Sequence, residues 1–312
     1  MKFRTKIPIK KESNQIDYNS NILMIGSCFS DNIEKKLNYY KFTNYVNPNG
    51  IVFNPVSIEN IVKEAVLKKQ YTKDDLILHN GLWHSFNHHS KFSGPTPELK
   101  FKNENVIEFY DAIKTTTHLF ITLGSAWAYR YLKTNAIVAN CHKIPQNKFR
   151  KDLLTITEIE NSLQNTIDLI KNANPDVSIL FTVSPVRHLK DGFIENQQSK
   201  SHLIAAIHNI TKEQNVSYFP AYEIVMDELR DYRFYAEDMI HPNQTAIDYI
   251  WERLCETWMS EETIQTMDEI ATIQKGLAHK PFFSKGEQHQ EFLKNLETKI
   301  NRLQLNFPKI NF

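Results

Sequence analysis

The sequence predicts an α/β fold: a central, mostly parallel sheet of five strands between two layers of helices, which is a three-layer sandwich. Short apolar segments rich in β-forming residues alternate along the chain with segments whose apolar residues recur at helical spacing. The 312 residues, of which 41% are hydrophobic, also suffice to bury a core without disulfide bonds. We expect one α/β domain over residues 1–260 and a helical extension over residues 261–312.

Five segments have the composition of buried strands and are bounded by turn residues or by helical patterns. The predicted strands are Asn21–Ile25, Phe42–Val46, His118–Leu123, Val177–Val183 and Val216–Phe219. Each is followed by a helical pattern, apart from interruptions after the second and third strands. This alternation is typical of a parallel sheet.

The helical segments are recognised by apolar residues three and four positions apart. The first predicted helix covers Ser30–Leu37, with Ser30 or Asp31 as its cap. A capping box, Thr155-x-x-Glu158, opens another helix that ends before Pro175. The remaining stripes lie at residues 58–66, 106–113, 203–210 and 247–258.

Two regions depart from this alternation. Residues 71–100 contain aromatic residues and four histidines, and we interpret them as an inserted hairpin or lid. Residues 127–140 alternate around Lys133-Thr-Asn135 like a hairpin. The four histidines lack a carboxylate at metal-ligand spacing, so a structural role is favoured over zinc binding.

Composition excludes several classes of protein. The 37 basic and 36 acidic residues give a net charge of +1, without the basic excess that nucleic-acid binders usually carry. No apolar run approaches the length of a membrane span, and the N-terminus resembles no secretory signal. Three cysteines without a CxxC pair predict neither a disulfide framework nor a cysteine zinc site. We expect a cytoplasmic protein with no metal and no cofactor.

The first candidate for chemistry is Gly26-Ser27-Cys28-Phe29-Ser30, at the end of the first predicted strand. Ligands of open parallel sheets bind beyond the carboxyl ends of the strands. A helix N-terminus at this point would lower the pKa of the Cys28 thiol and make it a better nucleophile. The alternative is that small residues merely form a tight turn.

The second candidate is Asp238-Met-Ile-His241, just before the last helix of the α/β domain. A carboxylate three residues before a histidine can orient the imidazole, which then serves as general base and acid. Together with the Gly26–Ser30 turn, this pair predicts nucleophilic catalysis. We expect the Cys28 sulfur within about 4 Å of an imidazole nitrogen of His241.

These motifs resemble the GSCFA family, a branch of the SGNH/GDSL hydrolase superfamily, over about residues 20–260. Gly26-Ser-Cys-Phe-Ser30 is similar to the family's naming motif, and Asp238-x-x-His241 to the last block of the superfamily. Further similar stretches are Thr122–Trp127, Asn140–Pro145, Ser184–His188 and Tyr222–Val225. The resemblance implies an SGNH-like fold and acyl chemistry on a small-molecule or carbohydrate ester.

Alignment with the superfamily's motifs does not decide which residue is the nucleophile or which groups form the oxyanion hole. Cys28 falls on the nucleophilic serine of the first block, although a shift of one residue would select Ser27. The third block aligns with Gly124-Ser-Ala126-Trp127, so Ala126 stands where an oxyanion-hole asparagine is expected. Other residues are candidates for oxyanion or substrate binding, either from the resemblance or because they follow predicted strands. They are Gly50, Gly124, Asn140, His142, Arg187 and His188.

The sequence therefore indicates an esterase or O-acyltransferase in which Asp238 orients His241 and His241 activates Cys28 or Ser27. Transfer to an acceptor would need water excluded from the acyl-enzyme, for which residues 71–100 could act as a lid. The alternative is a catalytically inactive ligand-binding or scaffold protein with the same fold.

The C-terminal extension carries two apolar stripes. Ile264, Met267, Ile270 and Ile273 form one stripe, and Leu293, Leu296, Ile300 and Leu303 form the other. We expect the two to pack as an αα-hairpin that turns near His279-Lys-Pro281. A monomer is favoured over a homodimer, because a coil of fewer than three heptads is marginal by itself.

Overall fold

A parallel five-stranded sheet forms the centre of the protein, in a computed structural model that describes residues 4–211, 215–280 and 286–312. In chain order the strands are β1 (Asn21–Gly26), β2 (Thr43–Val46), β3 (Ile77–His79), β4 (Leu82–His84), β5 (His118–Leu123), β6 (Trp127–Tyr131), β7 (Ala136–Val138), β8 (Phe149–Leu153), β9 (Ser178–Val183) and β10 (Val216–Phe219). The central sheet has the order β10-β9-β5-β1-β2, and every neighbouring pair is parallel. The predicted parallel sheet is confirmed.

Helices cover both faces of this sheet. They are α1 (Phe29–Tyr39), α2 (Pro55–Val66), α3 (Leu99–Thr115), α4 (Ile156–Ala173), α5 (Phe193–Ile210), α6 (Ala221–Glu223), α7 (Gln244–Trp258), α8 (Glu261–Ala278) and α9 (Glu287–Asn306). A single wider turn of π-helix, Ile224–Leu229, continues α6. The Thr155–Glu158 capping box at the start of α4 is present as predicted.

Alternate side chains of each central strand enter two separate cores. Leu23 and Ile25 of β1 pack with α2, α3, α4 and α5, whereas Ile22 and Met24 pack with α1, α7, α8 and α9. Because both faces of the strands are buried, the sheet needs apolar residues at successive positions. The three-layer arrangement is therefore confirmed.

The two interruptions of the pattern form small antiparallel sheets. β3 and β4 pair as a hairpin within residues 71–100, and β6 pairs with β7 as the sequence predicts. β8 also joins β6, which the sequence did not indicate. Its five residues, Phe-Arg-Lys-Asp-Leu, are apolar only at their ends, so the strand signal is weak.

The C-terminal helices pack on the α/β domain. Met267, Ile270 and Ile273 of α8 and Leu296 and Leu303 of α9 are buried in the same core as α1 and α7. The predicted packing of the two stripes within one chain is present, although Leu293 stays 41% exposed. The expected turn at His279–Pro281 lies partly outside the described residues. No helix among the described residues is long and apolar enough to cross a bilayer.

Candidate active site

The turn after β1 is held against β5 at the carboxyl edge of the sheet. Gly26 has φ +141°, and a Cβ there would lie 2.2 Å from the Thr122 carbonyl oxygen. Only glycine permits this backbone approach without strain. The next N–H group, that of Ser27, donates to the same carbonyl at 3.0 Å. The sequence after Gly26 therefore begins at a fixed point between β1 and β5.

Ser27 and Cys28, the two candidate nucleophiles, have different surroundings. Ser27 is 2% exposed, and its Oγ accepts a hydrogen bond from the Phe29 N–H at 3.2 Å. Cys28 is half-buried and stands at the N-cap position of α1. The prediction that Ser30 or Asp31 caps this helix is wrong, because the helix already begins at Phe29. The Ser30 hydroxyl instead donates a hydrogen bond to Thr122 Oγ1.

The environment raises the pKa of the Cys28 thiol. Burial is the main cause, and the nearby Asp31 carboxylate adds to it, whereas the Lys200 ammonium opposes both. The expectation that the helix N-terminus would lower this pKa is wrong, because desolvation of the thiolate outweighs the helix dipole. Cys28 is consequently a thiol at neutral pH.

Asp238 and His241 form a pair on the loop before α7. His241 Nδ1 lies 2.6 Å from Asp238 Oδ2, and Asp238 Oδ1 accepts the backbone N–H groups of Ile240 and His241. These hydrogen bonds, led by the His241 backbone N–H, lower the pKa of Asp238 to about 2. The carboxylate stays charged at neutral pH, and Nε2 of the ring has no hydrogen bond to any described residue, which leaves it for a reacting group.

The same loop is anchored at the end of β9. The Arg187 N–H donates to the Ile240 carbonyl at 3.1 Å, and the Arg187 guanidinium donates to the Met239 carbonyl at 3.1 Å. Arg187 follows β9 by four residues, so the loop lies at the carboxyl edge of the sheet. No hydrogen bond joins Cys28 to His241 among the described residues, and their contact stays a prediction.

Lys200 lies between the strand ends and was not selected from the sequence. Its side chain is fully buried, and Nζ donates to the carbonyls of Gly124 and Ser184, each at 2.7 Å. Those residues directly follow β5 and β9. Burial lowers the pKa of Lys200 to about 7, and its interaction with the Cys28 thiolate opposes this change.

His188 stands beside Lys200 and His241. Burial lowers its pKa to about 3, with smaller contributions from the charges of Lys200 and His241, so the imidazole is neutral. Its Nε2 is buried without a hydrogen-bond partner among the described residues. An unpaired polar atom is uncommon in a buried position and marks a place where a ligand or water can bind.

Two of the predicted oxyanion donors, Gly50 and Gly124, are already paired, whereas the N–H groups near residue 28 stay a prediction. The Gly50 N–H donates to the Asn47 carbonyl at 2.7 Å, and the Gly124 N–H donates to the Phe53 carbonyl at 2.9 Å. Gly50 has φ +78° and packs against His89 of the insertion, while Gly124 packs against Phe53. Both glycines border the edge that carries Cys28, where they shape the loop after β2.

Asn140 and His142 lie against the insertion. The Asn140 side chain accepts the His142 N–H at 2.8 Å. The His142 ring nitrogens contact the Ser90 hydroxyl at 3.1 Å and the Ser85 carbonyl at 2.7 Å. His142, held by Asn140, therefore connects the region after β7 to residues 71–100, and neither residue forms a hydrogen bond with Cys28 or His241 among the described residues.

Comparison with known proteins assigns the chain to a family. The GSCFA family model matches residues 21–254. The chain belongs to the GSCFA family. A second model, described as the GSCFA domain protein, C-terminal domain, matches residues 270–312. No curated protein matches the chain.

Three solved structures are similar to this GSCFA chain at low sequence identity. A Streptococcus pneumonia protein provisionally described as a platelet activating factor is 12% identical, with a TM-score of 0.41 over 76% of this chain and 83% of that one. A carbohydrate esterase family 3 protein from Talaromyces cellulolyticus is 9% identical, with a TM-score of 0.36. A mutant acetyl esterase with acetate ion is 9% identical, with a TM-score of 0.34. The last two each cover 80% of this chain and 99% of their own.

Two residues of the candidate site could have been found only in three dimensions. Lys200 lies in a helical segment where lysine usually faces solvent, and only its burial distinguishes it. Asn47 accepts the Gly26 N–H at 2.9 Å and donates to Asp31 at 2.7 Å. Its place in Asn47-Pro-Asn-Gly predicts a turn, whereas its role is to fix the Gly26 turn from β2.

Proposed function

We propose that the protein is an ester hydrolase or O-acyltransferase of the SGNH type, with Cys28 as nucleophile, His241 as general base and Asp238 as the group that orients His241. The observation that carries the proposal is the short Asp238–His241 hydrogen bond at the carboxyl edge that also holds the Cys28 turn. A carboxylate fixed by backbone N–H groups, next to an imidazole whose Nε2 has no hydrogen bond among the described residues, suits proton transfer.

Cys28 is favoured over Ser27 by its position. The Ser27 hydroxyl is buried and engaged with the Phe29 N–H, whereas the Cys28 side chain is half-buried. A nucleophile must reach a substrate carbonyl, which the Ser27 side chain could do only after leaving its turn.

A base is required because the raised pKa keeps Cys28 protonated. His241 Nε2 accepts the thiol proton as Sγ forms a bond to the ester carbonyl carbon. Collapse of the tetrahedral intermediate breaks the ester C–O bond, and the imidazolium returns its proton to the leaving alkoxide. The product is a thioester on Cys28.

The second half of the reaction regenerates the thiol. Water or an acceptor alcohol loses its proton to His241 and attacks the thioester carbonyl, and the C–S bond breaks. The thiolate leaves and recovers the proton from His241. Hydrolysis gives a carboxylic acid, whereas transfer gives a new ester. Residues 71–100 pack on the loop after β2 and are the candidate lid that would exclude water and so favour transfer.

Lys200 and His188, which lie near the carboxyl ends of the central strands, support this chemistry. The Lys200 ammonium stabilises the Cys28 thiolate while two carbonyls hold it in place. The Nε2 of His188, which has no partner in the part of the chain that is described, offers a hydrogen bond to bound substrate. No metal or cofactor is needed for either step.

A ligand-binding or scaffold protein is the second candidate. It is favoured by the pairing of the Gly50 and Gly124 N–H groups within the protein and by alanine at position 126, whose own N–H donates to Ser199. Loss of these oxyanion donors would slow ester cleavage more than ester binding.

Hydrolysis of p-nitrophenyl acetate by purified variants tests the proposal. Cys28→Ala should abolish enzymatic turnover, and His241→Ala should lower kcat/KM by about 100-fold or more, because a general base contributes that much. Cys141→Ala, which changes another half-buried cysteine, is the matched control and should retain activity. Equal rates for wild type and Cys28→Ala would contradict the proposal, and loss of activity only in Ser27→Ala would assign the nucleophile to serine.

A further inference from the structure

A cavity of about 400 Å³ lies beside the candidate active site. It is formed by the loop after β9, the start of α5, the residues after β10 and the segment before Asp238. Its lining includes Arg187, Phe193, Gln197, Tyr222, Tyr232 and Tyr235. Cys28, Lys200 and His241 are not part of this lining, and the cavity adjoins the site through Arg187, which contacts the loop that carries His241.

Arg187 stands in an aromatic cage on the wall of this cavity. The centre of its guanidinium lies 5.4 Å from the Phe193 ring, 5.7 Å from the Tyr232 ring and 5.4 Å from the Tyr235 ring. Aromatic faces hold a guanidinium in place but satisfy none of its N–H groups. The Met239 carbonyl accepts a hydrogen bond from one of the five N–H groups of the guanidinium, and no carboxylate pairs with Arg187 in the part of the chain that is described.

The charges around the cavity favour an anion. Arg230 adds a second positive charge to the lining. Asp231 also lies there, but its carboxylate pairs with Arg233 at 2.9 Å. Asp191, near the entrance to α5, pairs with Lys151 at 2.5 Å. The Arg187 guanidinium is thus left to bind a carboxylate or phosphate in its bidentate geometry.

Arg187 also connects the cavity to His241. Its N–H and guanidinium bind the carbonyls of Ile240 and Met239, the two residues before the proposed general base. His188, with its unpaired Nε2, is the next residue of the chain. A ligand whose anionic end binds Arg187 would therefore lie next to the loop that carries the imidazole.

We propose that this cavity binds a carboxylate or phosphate carried on a flat apolar ring, and that the ester substrate or its acceptor is an anion of this kind. The substrate assignment rests on the proposed function, whereas the binding of the anion does not. Arg187 then selects the substrate, because the aromatic rings accept the apolar body and the guanidinium accepts the charge.

The kinetic test compares 4-acetoxybenzoate with its uncharged methyl ester, each rate divided by that for alkaline hydrolysis of the same ester. Wild type should prefer the anion by about tenfold or more in kcat/KM, and Arg187→Gln should remove the preference, because a charged hydrogen-bonded pair contributes about this much. Arg150→Gln, at an exposed arginine of β8, should retain it. An equal loss on both esters in Arg187→Gln would overturn the proposal and leave Arg187 as support for the His241 loop.

A binding test separates this inference from the proposed function. Calorimetric titration of Cys28→Ala with phenyl phosphate should show binding that weakens about tenfold or more in the Cys28→Ala, Arg187→Gln protein, and phenol should bind more weakly than phenyl phosphate. Binding of phenyl phosphate without hydrolysis of either ester would preserve the anion site and contradict the esterase. Absence of phenyl phosphate binding, or binding independent of Arg187, would overturn the anion site whatever the esterase assays show.

Discussion

Replacement of Lys200 by methionine should change how the stability of the protein depends on pH. Methionine fills a similar volume without a charge. Burial lowers the pKa of Lys200 from 10.5 to about 7, whereas the unfolded chain keeps the ordinary value. Between these two pH values the unfolded chain binds more protons than the folded one, so the free energy of unfolding rises with pH. The destabilisation by the buried charge is fully present below pH 7 and fades as the pH rises.

The size of the effect follows from these two pKa values. One pKa unit corresponds to about 1.4 kcal/mol, and Lys200 is half-protonated in the folded protein near pH 7. Raising the pH from 7 to 9 should therefore add roughly 2 kcal/mol to the free energy of unfolding of the lysine protein. The methionine variant should lack this increment, while the loss of two hydrogen bonds to Gly124 and Ser184 lowers its stability at both pH values alike.

Urea denaturation at pH 7, 8 and 9, followed by tryptophan fluorescence, measures the increment. Both proteins should carry Cys28→Ala, so that titration of the thiol does not contribute. Lys133→Met, at an exposed lysine between β6 and β7, should keep the pH dependence of its parent. If Lys200→Met keeps that dependence as well, Lys200 does not titrate between pH 7 and 9, and the lowering of its pKa by burial is wrong.

Three further substitutions test the site and the packing around it. Gly26→Ala should lower the free energy of unfolding by roughly 2–4 kcal/mol, because the added Cβ would clash with the backbone of β5. The control Gly81→Ala, at a glycine with positive φ but open space around it, should lower the free energy of unfolding by only about 1 kcal/mol. Equal effects of the two substitutions in urea denaturation would refute the close approach of Gly26 to β5. Leu296→Ala should lower the free energy of unfolding by about 2–5 kcal/mol, whereas Leu293→Ala, at a more exposed position, should lower it by less than about 0.5 kcal/mol. Neither substitution should change the mass measured by light scattering. A dimer that dissociates in Leu296→Ala would show that α9 pairs with a second chain. Asp238→Asn should lower kcat/KM for p-nitrophenyl acetate by about 100-fold or more with an unchanged Tm, and full activity would remove the carboxylate from the mechanism.

The sequence predicted the sheet well because burial on both faces leaves a strong pattern. His118–Leu123 and Val177–Val183 are rich in branched and aromatic residues over a length that suits a strand, and both lie at the centre of the sheet. The Asp238–His241 pair was also visible, since its hydrogen bonds join residues within three positions of each other. Local motifs of this kind are specified by local sequence.

Features that depend on distant partners were missed or predicted wrongly. The pKa of Cys28 is set by burial under other elements and by Asp31, which the dipole argument for a helix N-terminus does not include. Lys200 is 172 positions from Cys28 along the chain, and nothing near it marks a buried lysine. The N–H group of Gly50 is paired by a turn with Asn47, which the alignment to a family block could not show.

A covalent intermediate tests the central proposal most directly. Brief incubation of wild type with p-nitrophenyl acetate, quenching in acid and intact mass spectrometry should show one added acetyl group, and peptide mapping should place it on Cys28. The adduct should be absent from Cys28→Ala. An unmodified wild-type protein under conditions of turnover, or an acetyl group equally abundant in Cys28→Ala, would contradict acyl chemistry at this cysteine.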